Sequence, residues 1–234
     1  MTYRDLAWVE DLLGEGSREA LWQRLKAAGA LDGEGDLLRP GPLAALLGDL
    51  AGDRGSGLLW TLPESLNTAL SAAIPSSHPP TPYLDGLTQT IDAAQKELRL
   101  MSPFLTLSGI TVVSEALLRV LARGVRTSLI AQDLHDLASL QSRAVEPLRQ
   151  SAERLGASLS VYSARHTGGL LHAKLAVADQ TQVVLGSANM TGHGLGMNFE
   201  VGVRLGPSAA RQVADVYDAL QGSSLIEHVF STMG

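Results

Sequence analysis

Residues 171–189 read LHAKLAVADQTQVVLGSAN, and the spacing of the polar residues in this stretch decides how the chain is interpreted. His172 lies two positions before Lys174, and Ser187 lies two positions before Asn189. Because side chains alternate between the two faces of a strand, each pair shares one face if the segment is extended. The intervening residues are mostly aliphatic, so both polar pairs are expected in apolar surroundings.

A hairpin would bring the two polar pairs together. The sequence favours a two-residue turn at 180–181, with Asp179 at its start bonding the turn backbone. Directly opposed residues of an antiparallel pair project to the same face of the sheet. The opposed pairs that this turn predicts are His172 with Asn189 and Lys174 with Ser187. We therefore expect one patch that contains an imidazole, an ammonium, a hydroxyl and a carboxamide.

This combination of groups has the chemistry of a phosphate site. The ammonium and the neutral donors neutralise phosphoryl oxygens, while an imidazole attacks phosphorus or transfers a proton. The next strand, NFEVGVRL at 198–205, places Asn198 and Glu200 on a common face. We expect Glu200 to accept the Nδ1 proton of His172, which leaves Nε2 as the nucleophilic nitrogen.

The pattern HxK, four residues, Asp, six residues and GSxN, followed by the NFE strand, resembles the HKD signature of the phospholipase D superfamily. The resemblance extends over about residues 83–220 and includes LMSPF at 100–104. It implies that His172 is the nucleophile or its acid partner and that Glu200 orients the imidazole. The positions implied to bind phosphoryl oxygens are Lys174, Ser187 and Asn189. Lys174 is also implied to be catalytic. The structural positions of the signature are Asp179 and Gly186.

The chain carries one such signature, because none of the other five histidines has a lysine two residues later. Many members of the superfamily join two signatures across a pseudo-two-fold axis. A chain with a single signature resembles bacterial endonucleases that build one site from two subunits. The resemblance therefore implies a homodimer in which the two His172 side chains face the same phosphate.

The layout of the whole chain also resembles the phospholipase-D-like subunit of the bacterial DISARM phage-defence system. The shared features are a single signature near the C-terminus and an Ala/Leu-rich helical region before it. This second resemblance implies a role in antiviral defence, with other subunits of the defence complex as partners.

The segment PSSHPPTP at 75–82 holds four of the ten prolines and predicts an extended linker. Before it, residues 1–74 predict a small helical region with helices that begin at Ser17, Pro42 and Ser65. After it, residues 83–234 alternate between strand and helix patterns. The predicted strands are 97–104, 126–131 and 158–163, and the predicted helices are 109–123 and 134–155. The fold class is therefore α/β, and the resemblance specifies a phospholipase-D-like layered sandwich with a mixed β-sheet flanked by helices.

Composition and charge exclude several classes of protein. The net charge of −6 argues against a wholly basic nucleic-acid binder, although residues 79–234 are close to neutral and can still form a local positive cleft. The absence of cysteine excludes a disulfide framework, a thiolate metal site and a catalytic thiol. The N-terminal residues do not form a signal peptide, and no apolar run is long enough to span a membrane. A cytoplasmic location is the resulting expectation.

Three functions are compatible with these features. The leading hypothesis is a metal-independent phosphodiesterase, most simply a nuclease that forms a phosphohistidine and requires no cofactor. Lys174 supplies positive charge where other nucleases place Mg²⁺, and no set of Asp, Glu and His has the spacing of a hard-cation site. The alternatives are an enzyme that cleaves or transfers phosphatidyl groups, and a catalytically silent subunit that binds nucleic acid.

Overall fold

The computed structural model of the chain describes residues 10, 16–27, 31, 57–64, 81–136, 138–164 and 171–232. The chain divides into two compact units, Met1–Ser56 and Gly57–Gly234. In the first unit, helix α1 spans Ser17–Ala27 and buries Leu21 and Leu25 at helical spacing, as predicted. The predicted helices that begin at Pro42 and Ser65 lie outside the described residues.

The described part of the second unit is built on a nine-stranded mixed sheet of order β2-β1-β8-β7-β6-β3-β4-β5-β9. Strands β3, β4 and β5 are parallel, whereas β6 is antiparallel to β3 and β7 is antiparallel to β6. The strands are β1 Gly57–Thr61, β2 Thr81–Pro82, β3 Glu97–Met101, β4 Arg126–Gln132, β5 Leu159–Ala164, β6 Leu175–Ala178, β7 Gln182–Gly186, β8 Glu200–Leu205 and β9 Ile226–Ser231.

Helices cover both faces of this sheet. The helices are α2 Tyr83–Ala93, α3 Leu107–Ala122, α4 Leu140–Leu155, α5 Gly192–Gly196 and α6 Pro207–Gln221. Helices α2, α3 and α4 pack into the largest apolar cluster on one face, and α6 packs against β6 and β7 on the other. The mixed sheet between helical layers confirms the predicted α/β fold class. Within the described ranges, no helix has an apolar stretch long enough to cross a bilayer.

Strand β1 begins upstream of the predicted start of the α/β domain. Residues 57–61 lie in the region predicted to be helical, yet they pair with β8 in the sheet of the second unit. Leu59 is buried against α2, where a Cβ on Gly86 would come within 2.5 Å of its side chain. A run of five residues is too short for its periodicity to identify a strand, and β8 lies far along the chain. Residues 65–80 are outside the described part, so the domain boundary at 75–82 stays a prediction.

The β6–β7 hairpin has a different register from the one predicted. Its connection contains three residues, of which Asp179 and Gln180 have left-handed φ values of 49° and 59°. The amide of Thr181 donates to the carbonyl of Ala178 at 2.9 Å, and Ala178 pairs with Gln182. The predicted opposition of His172 with Asn189 and of Lys174 with Ser187 is therefore wrong by one residue, and Gly186 lies opposite Lys174.

Candidate active site

The residues of the signature meet at one edge of the sheet. Met101, at the end of β3, pairs with Leu175, at the start of antiparallel β6. Lys174 therefore lies beside Ser102, which directly follows β3. The end of β7 and the start of β8 reach the same edge, where the amide of Ser187 donates to the carbonyl of Val201 at 3.0 Å. The sheet topology thus brings the end of β3 together with three segments that lie more than seventy positions later in the sequence.

His172 and Lys174 are in direct contact. The Nζ atom of Lys174 lies 3.0 Å from each ring nitrogen of His172 and 3.0 Å from the carbonyl oxygen of His172, to which it donates. The imidazole is exposed, whereas only 6% of Lys174 is exposed. Burial lowers the pKa of Lys174 below its ordinary value, and the negative charge of Glu200 acts in the opposite direction. The pair therefore presents an exposed imidazole in contact with a cation that is poorly solvated.

The carboxylate of Glu200 accepts hydrogen bonds from two polar side chains. The Ser187 hydroxyl donates to Oε2 of Glu200 and accepts from the amide of Val201 at 3.1 Å. The side-chain amide of Asn198 donates to Oε1 at 3.1 Å. Two of the predicted site residues, Ser187 and Glu200, are thus in direct contact.

The expected hydrogen bond from His172 to Glu200 is not among the contacts of the described residues. Both carboxylate oxygens are already bonded to Ser187 and Asn198, and both nitrogens of His172 lie next to Lys174. An orienting role for Glu200 stays a prediction.

Asn189 offers a polar atom to the site. Its Oδ1 atom is buried and has no hydrogen-bond partner in the described part of the chain. The segment is held in place by Ser102, whose Oγ accepts from the amide of Met190 at 3.0 Å and donates to the carbonyl of Phe104 at 2.8 Å. Sequence reasoning missed Ser102 as a support of the site, although it lies in the LMSPF segment.

Asp179 lies at the opposite end of the hairpin from His172. Its carboxylate accepts hydrogen bonds from three successive backbone amides, those of Gln95 at 2.6 Å, Lys96 at 2.8 Å and Glu97 at 2.7 Å. Burial alone would raise the pKa of Asp179, but these bonds outweigh it and hold the pKa below its usual value. Asp179 thus ties the hairpin to the start of β3, which is a structural contact.

Gly186 lies under the ring of Tyr83, at the start of α2. A Cβ added at Gly186 would come within 2.5 Å of the Tyr83 hydroxyl. Burial, and secondarily the charge of Glu200, raise the pKa of Tyr83, which keeps the phenol neutral at physiological pH. Nothing in the sequence pattern indicated that Tyr83 belongs to the site, because its contacts depend on the packing of α2 over β7 and β8.

These residues together have the chemical groups that suit a phosphate. Among the described residues, no cluster of three or more His, Asp or Glu side chains could hold a cation. A buried ammonium, a carboxamide and a hydroxyl are instead suited to the oxygens of a phosphodiester. The exposed imidazole is accessible to the phosphorus of such a group.

Comparisons with known proteins agree with this chemistry. The family model "Cardiolipin synthase, PLD-like domain" matches residues 87–220. No curated protein matches the chain. The match to the family model confirms the superfamily that the signature resembles.

Three similar solved structures show the same fold. The chain is 17% identical to a phospholipase D family member, Nuc, from Salmonella typhimurium, with a TM-score of 0.51 over 74% of this chain and 97% of that one. It is 17% identical to NucT from Helicobacter pylori, with a TM-score of 0.50 over 72% and 96%. It is 15% identical to phosphatidylserine synthase from Haemophilus influenzae Rd KW20, with a TM-score of 0.50 over 81% of this chain and 46% of that one.

Proposed function

We propose that this chain, which belongs to the PLD-like domain family of cardiolipin synthase, is a metal-independent phosphodiesterase acting on nucleic acid. His172 is the nucleophile, and Lys174, Ser187 and Asn189 bind the phosphoryl oxygens. The observation that carries the proposal is the environment of Lys174. Its ammonium is buried, has no ion pair with a described carboxylate, and touches an exposed imidazole. A buried cation without a paired anion is unfavourable unless a ligand supplies the charge, and a phosphodiester does so.

The reaction proceeds in two displacements. A ring nitrogen of His172 attacks phosphorus, the bond from phosphorus to the leaving oxygen breaks, and His172 of the partner subunit donates a proton to that oxygen. Water then attacks the phosphohistidine, its proton passes to the second imidazole, and the bond between nitrogen and phosphorus breaks. The products are a phosphate monoester and an alcohol. Neither step requires a cofactor or a metal ion.

The need for two imidazoles makes a homodimer part of the proposal. The fold matches almost all of Nuc and NucT but only 46% of the phosphatidylserine synthase. This pattern supports one catalytic unit per chain here. A two-fold axis through the phosphate then supplies the nucleophile and the acid from identical residues.

The charges on the exposed helices argue against binding to an anionic membrane surface. Arg149 of α4 pairs with Glu146 and Glu153, and the exposed face of α6 carries Asp215 and Asp218 besides Arg211. Helices that bind anionic membranes have a strongly basic polar face instead. Cleavage or transfer of phosphatidyl groups remains the second candidate, because it uses the same site. The third is a catalytically silent nucleic-acid-binding subunit of a phage-defence complex, which rests on the layout of the chain.

A phosphodiester assay in the presence of EDTA tests this proposal. The wild-type protein should cleave single-stranded or double-stranded oligonucleotides with chelator present, and His172→Ala should lose activity by at least about a thousandfold. His228→Ala is the matched control, because His228 lies on edge strand β9 and bonds Ser231 at 2.8 Å. Complete loss of wild-type activity in EDTA, with recovery on adding Mg²⁺, would contradict the mechanism. Cleavage of phospholipid vesicles but not of oligonucleotides would favour the second candidate.

A further inference from the structure

The side chain of Tyr83 lies across two strands of the sheet at the edge where the site is built. A Cβ at Gly202 of β8 would come within 2.4 Å of its Cε2 atom, and a Cβ at Gly186 of β7 would come within 2.5 Å of its hydroxyl oxygen. The two glycines are directly opposed, and β6 follows β7 in the order of the sheet. The ring therefore runs from β8 to β7, and its hydroxyl is directed toward β6.

The residue next to this hydroxyl on the β6 side is Lys174. The amide of Gly186 donates to the carbonyl of Lys174 at 3.2 Å, which continues the β6–β7 register by one pair. Opposed residues of an antiparallel pair project to the same face and lie about 5 Å apart. Ala176, two positions after Lys174, packs in the same apolar cluster as Tyr83. The Tyr83 hydroxyl fills the space that a side chain at Gly186 would take, so it lies beside the side chain of Lys174.

The carboxylate of Glu200 lies close to both groups. Its negative charge raises the pKa of Tyr83 and opposes the effect of burial on the pKa of Lys174. Glu200 is two positions before Gly202 on β8 and therefore projects to the face that Tyr83 covers. On the other side of Glu200, strand β1 places Thr61 opposite it. The phenol, the ammonium and the carboxylate thus face the same corner of the site.

The hydroxyl of Tyr83 is poorly solvated and unpaired. It has no hydrogen-bond partner among the described residues, and it is not one of their fully enclosed polar atoms, so a ligand can contact it. Tyr83 as a whole is only 3% exposed. A hydroxyl in such surroundings is costly without a partner, which points to a ligand group that completes it. Burial holds the pKa of Tyr83 above its ordinary value, so the phenol keeps its proton and can donate.

A non-bridging oxygen of a phosphodiester matches this arrangement. Such an oxygen is negatively charged, accepts several hydrogen bonds and binds Lys174 in the proposed reaction. Donors that are fixed in place stabilise the charge that these oxygens carry in the transition state. The leaving oxygen is a poorer match, because it must receive a proton and a phenol with a raised pKa is a weak acid.

We propose that the Tyr83 hydroxyl donates a hydrogen bond to the non-bridging phosphoryl oxygen that Lys174 also binds. Tyr83 is then a catalytic residue from outside the signature, which the first turn of α2 brings to the site. This inference rests on the proposed function, since the phosphate must lie at His172. It holds for any phosphodiester, because the group that Tyr83 contacts is the same in nucleic acid and in lipid.

Tyr83→Phe tests the inference, because it removes the hydroxyl and keeps the ring over Gly186. The substrate is bis(p-nitrophenyl) phosphate, a phosphodiester without a base or an acyl chain. We expect kcat/KM to fall at least about tenfold, mainly through kcat. The affinity for inorganic vanadate, a mimic of the phosphoryl group, should fall at least about threefold. The melting temperature should stay equal or rise, since the hydroxyl has no protein partner to lose.

Tyr217→Phe is the matched control. Tyr217 of α6 is also buried, but its hydroxyl donates to the carbonyl of Leu100 at 3.3 Å. This variant should have a lower melting temperature, while its kcat, KM and vanadate affinity stay at the wild-type values. The inference is overturned if Tyr83→Phe has the kinetics of the wild type, or if it loses stability and keeps full activity per folded molecule.

The outcomes separate this inference from the proposed function. If the wild-type protein and Tyr83→Phe cleave the diester equally well, the phosphodiesterase stands and the role of Tyr83 falls. If the wild type cleaves no phosphodiester, calorimetric titration with vanadate still decides. Weaker binding by Tyr83→Phe than by the wild type and Tyr217→Phe then supports the contact, although the proposed catalysis falls. Equal binding by all three proteins overturns the inference, and a wild type that neither cleaves nor binds vanadate overturns both.

Discussion

Gly186 and Gly202 lie directly opposite each other on β7 and β8, and the side chain of Tyr83 covers both. A Cβ at Gly202 would come within 2.4 Å of a ring carbon of Tyr83 and within 2.8 Å of the carbonyl oxygen of Leu185. The absence of side chains at both positions lets α2 approach the sheet next to Glu200. The glycine of the signature therefore has a packing role that involves a residue outside the signature.

Gly202→Ala should lower the free energy of unfolding by about 1–3 kcal/mol, because the backbone carbonyl of Leu185 cannot move aside as a side chain can. Chemical denaturation measures this change. Gly57→Ala is the control, since Gly57 also lies in a strand but has open space around it. Similar losses in the two variants would show that strand glycines are sensitive for another reason.

Asp179→Asn should lower the free energy of unfolding at neutral pH by about 1–3 kcal/mol, because three backbone amides lose a charged acceptor. A carboxyl group whose pKa is lower in the folded protein stabilises it above the ordinary pKa of about 3.9. That contribution is lost as the pH falls below this value, toward the lower pKa of the folded state. The difference in free energy of unfolding between wild type and variant should therefore become smaller in acid.

Asp92→Asn, which removes a surface partner of Arg119, is the control and should lower the free energy of unfolding by about 0–1 kcal/mol. A difference for Asp179→Asn that is independent of pH would contradict this account.

Lys174→Met should lower activity without lowering stability. Activity should fall by at least about a hundredfold, because a phosphate loses its buried cation. The free energy of unfolding should stay equal or rise, because an unpaired buried charge is replaced by an apolar chain of similar size. Burial lowers the pKa of Lys174, so the protonated side chain destabilises the folded state. As the pH rises toward the ordinary lysine pKa, the side chain loses its proton in the folded protein. The free energy of unfolding of the wild type should therefore rise toward that of the variant. Lys96→Met, at an exposed lysine, is the control. A large loss of stability in Lys174→Met would show that the ammonium is structural.

Glu200→Gln tests the role of the carboxylate that Ser187 and Asn198 hold. We expect turnover to fall by at least about a hundredfold with little change in melting temperature, because the amide keeps an acceptor but loses the charge that stabilises an imidazolium. Glu115→Gln, at an exposed position of α3, should change neither quantity. Loss of stability with full activity per folded molecule would assign Glu200 a structural role instead.

Mixing wild-type and His172→Ala chains tests the shared site. If each active site needs an imidazole from both subunits, heterodimers are inactive and the activity falls as the square of the wild-type fraction. Subunit exchange must be complete, which mass measurement of differently tagged chains verifies. A linear decrease would show that each chain works alone.

The spacing of His172, Lys174, Ser187 and Asn189 identified the superfamily without a structure, because each chemical role needs a particular residue type at a particular interval. The alternation of apolar patterns also predicted strands β3, β4 and β5 and helix α3 to within a few residues. These are local features, since periodicity of burial and capping residues such as Thr106 act within one element.

The tertiary structure determined the register of the β6–β7 hairpin and which residues surround the site. The sequence predicts a two-residue turn in which Asp179 bonds the turn backbone, whereas its carboxylate binds the amides of residues 95–97, more than eighty positions earlier. Likewise, β1 becomes a strand because β8 and α2 bury Leu59, and Thr61 reaches the site only through that pairing. Local sequence determines which groups are available for chemistry, but contacts between distant segments determine which of them meet, because their energy depends on neighbours that no local pattern contains.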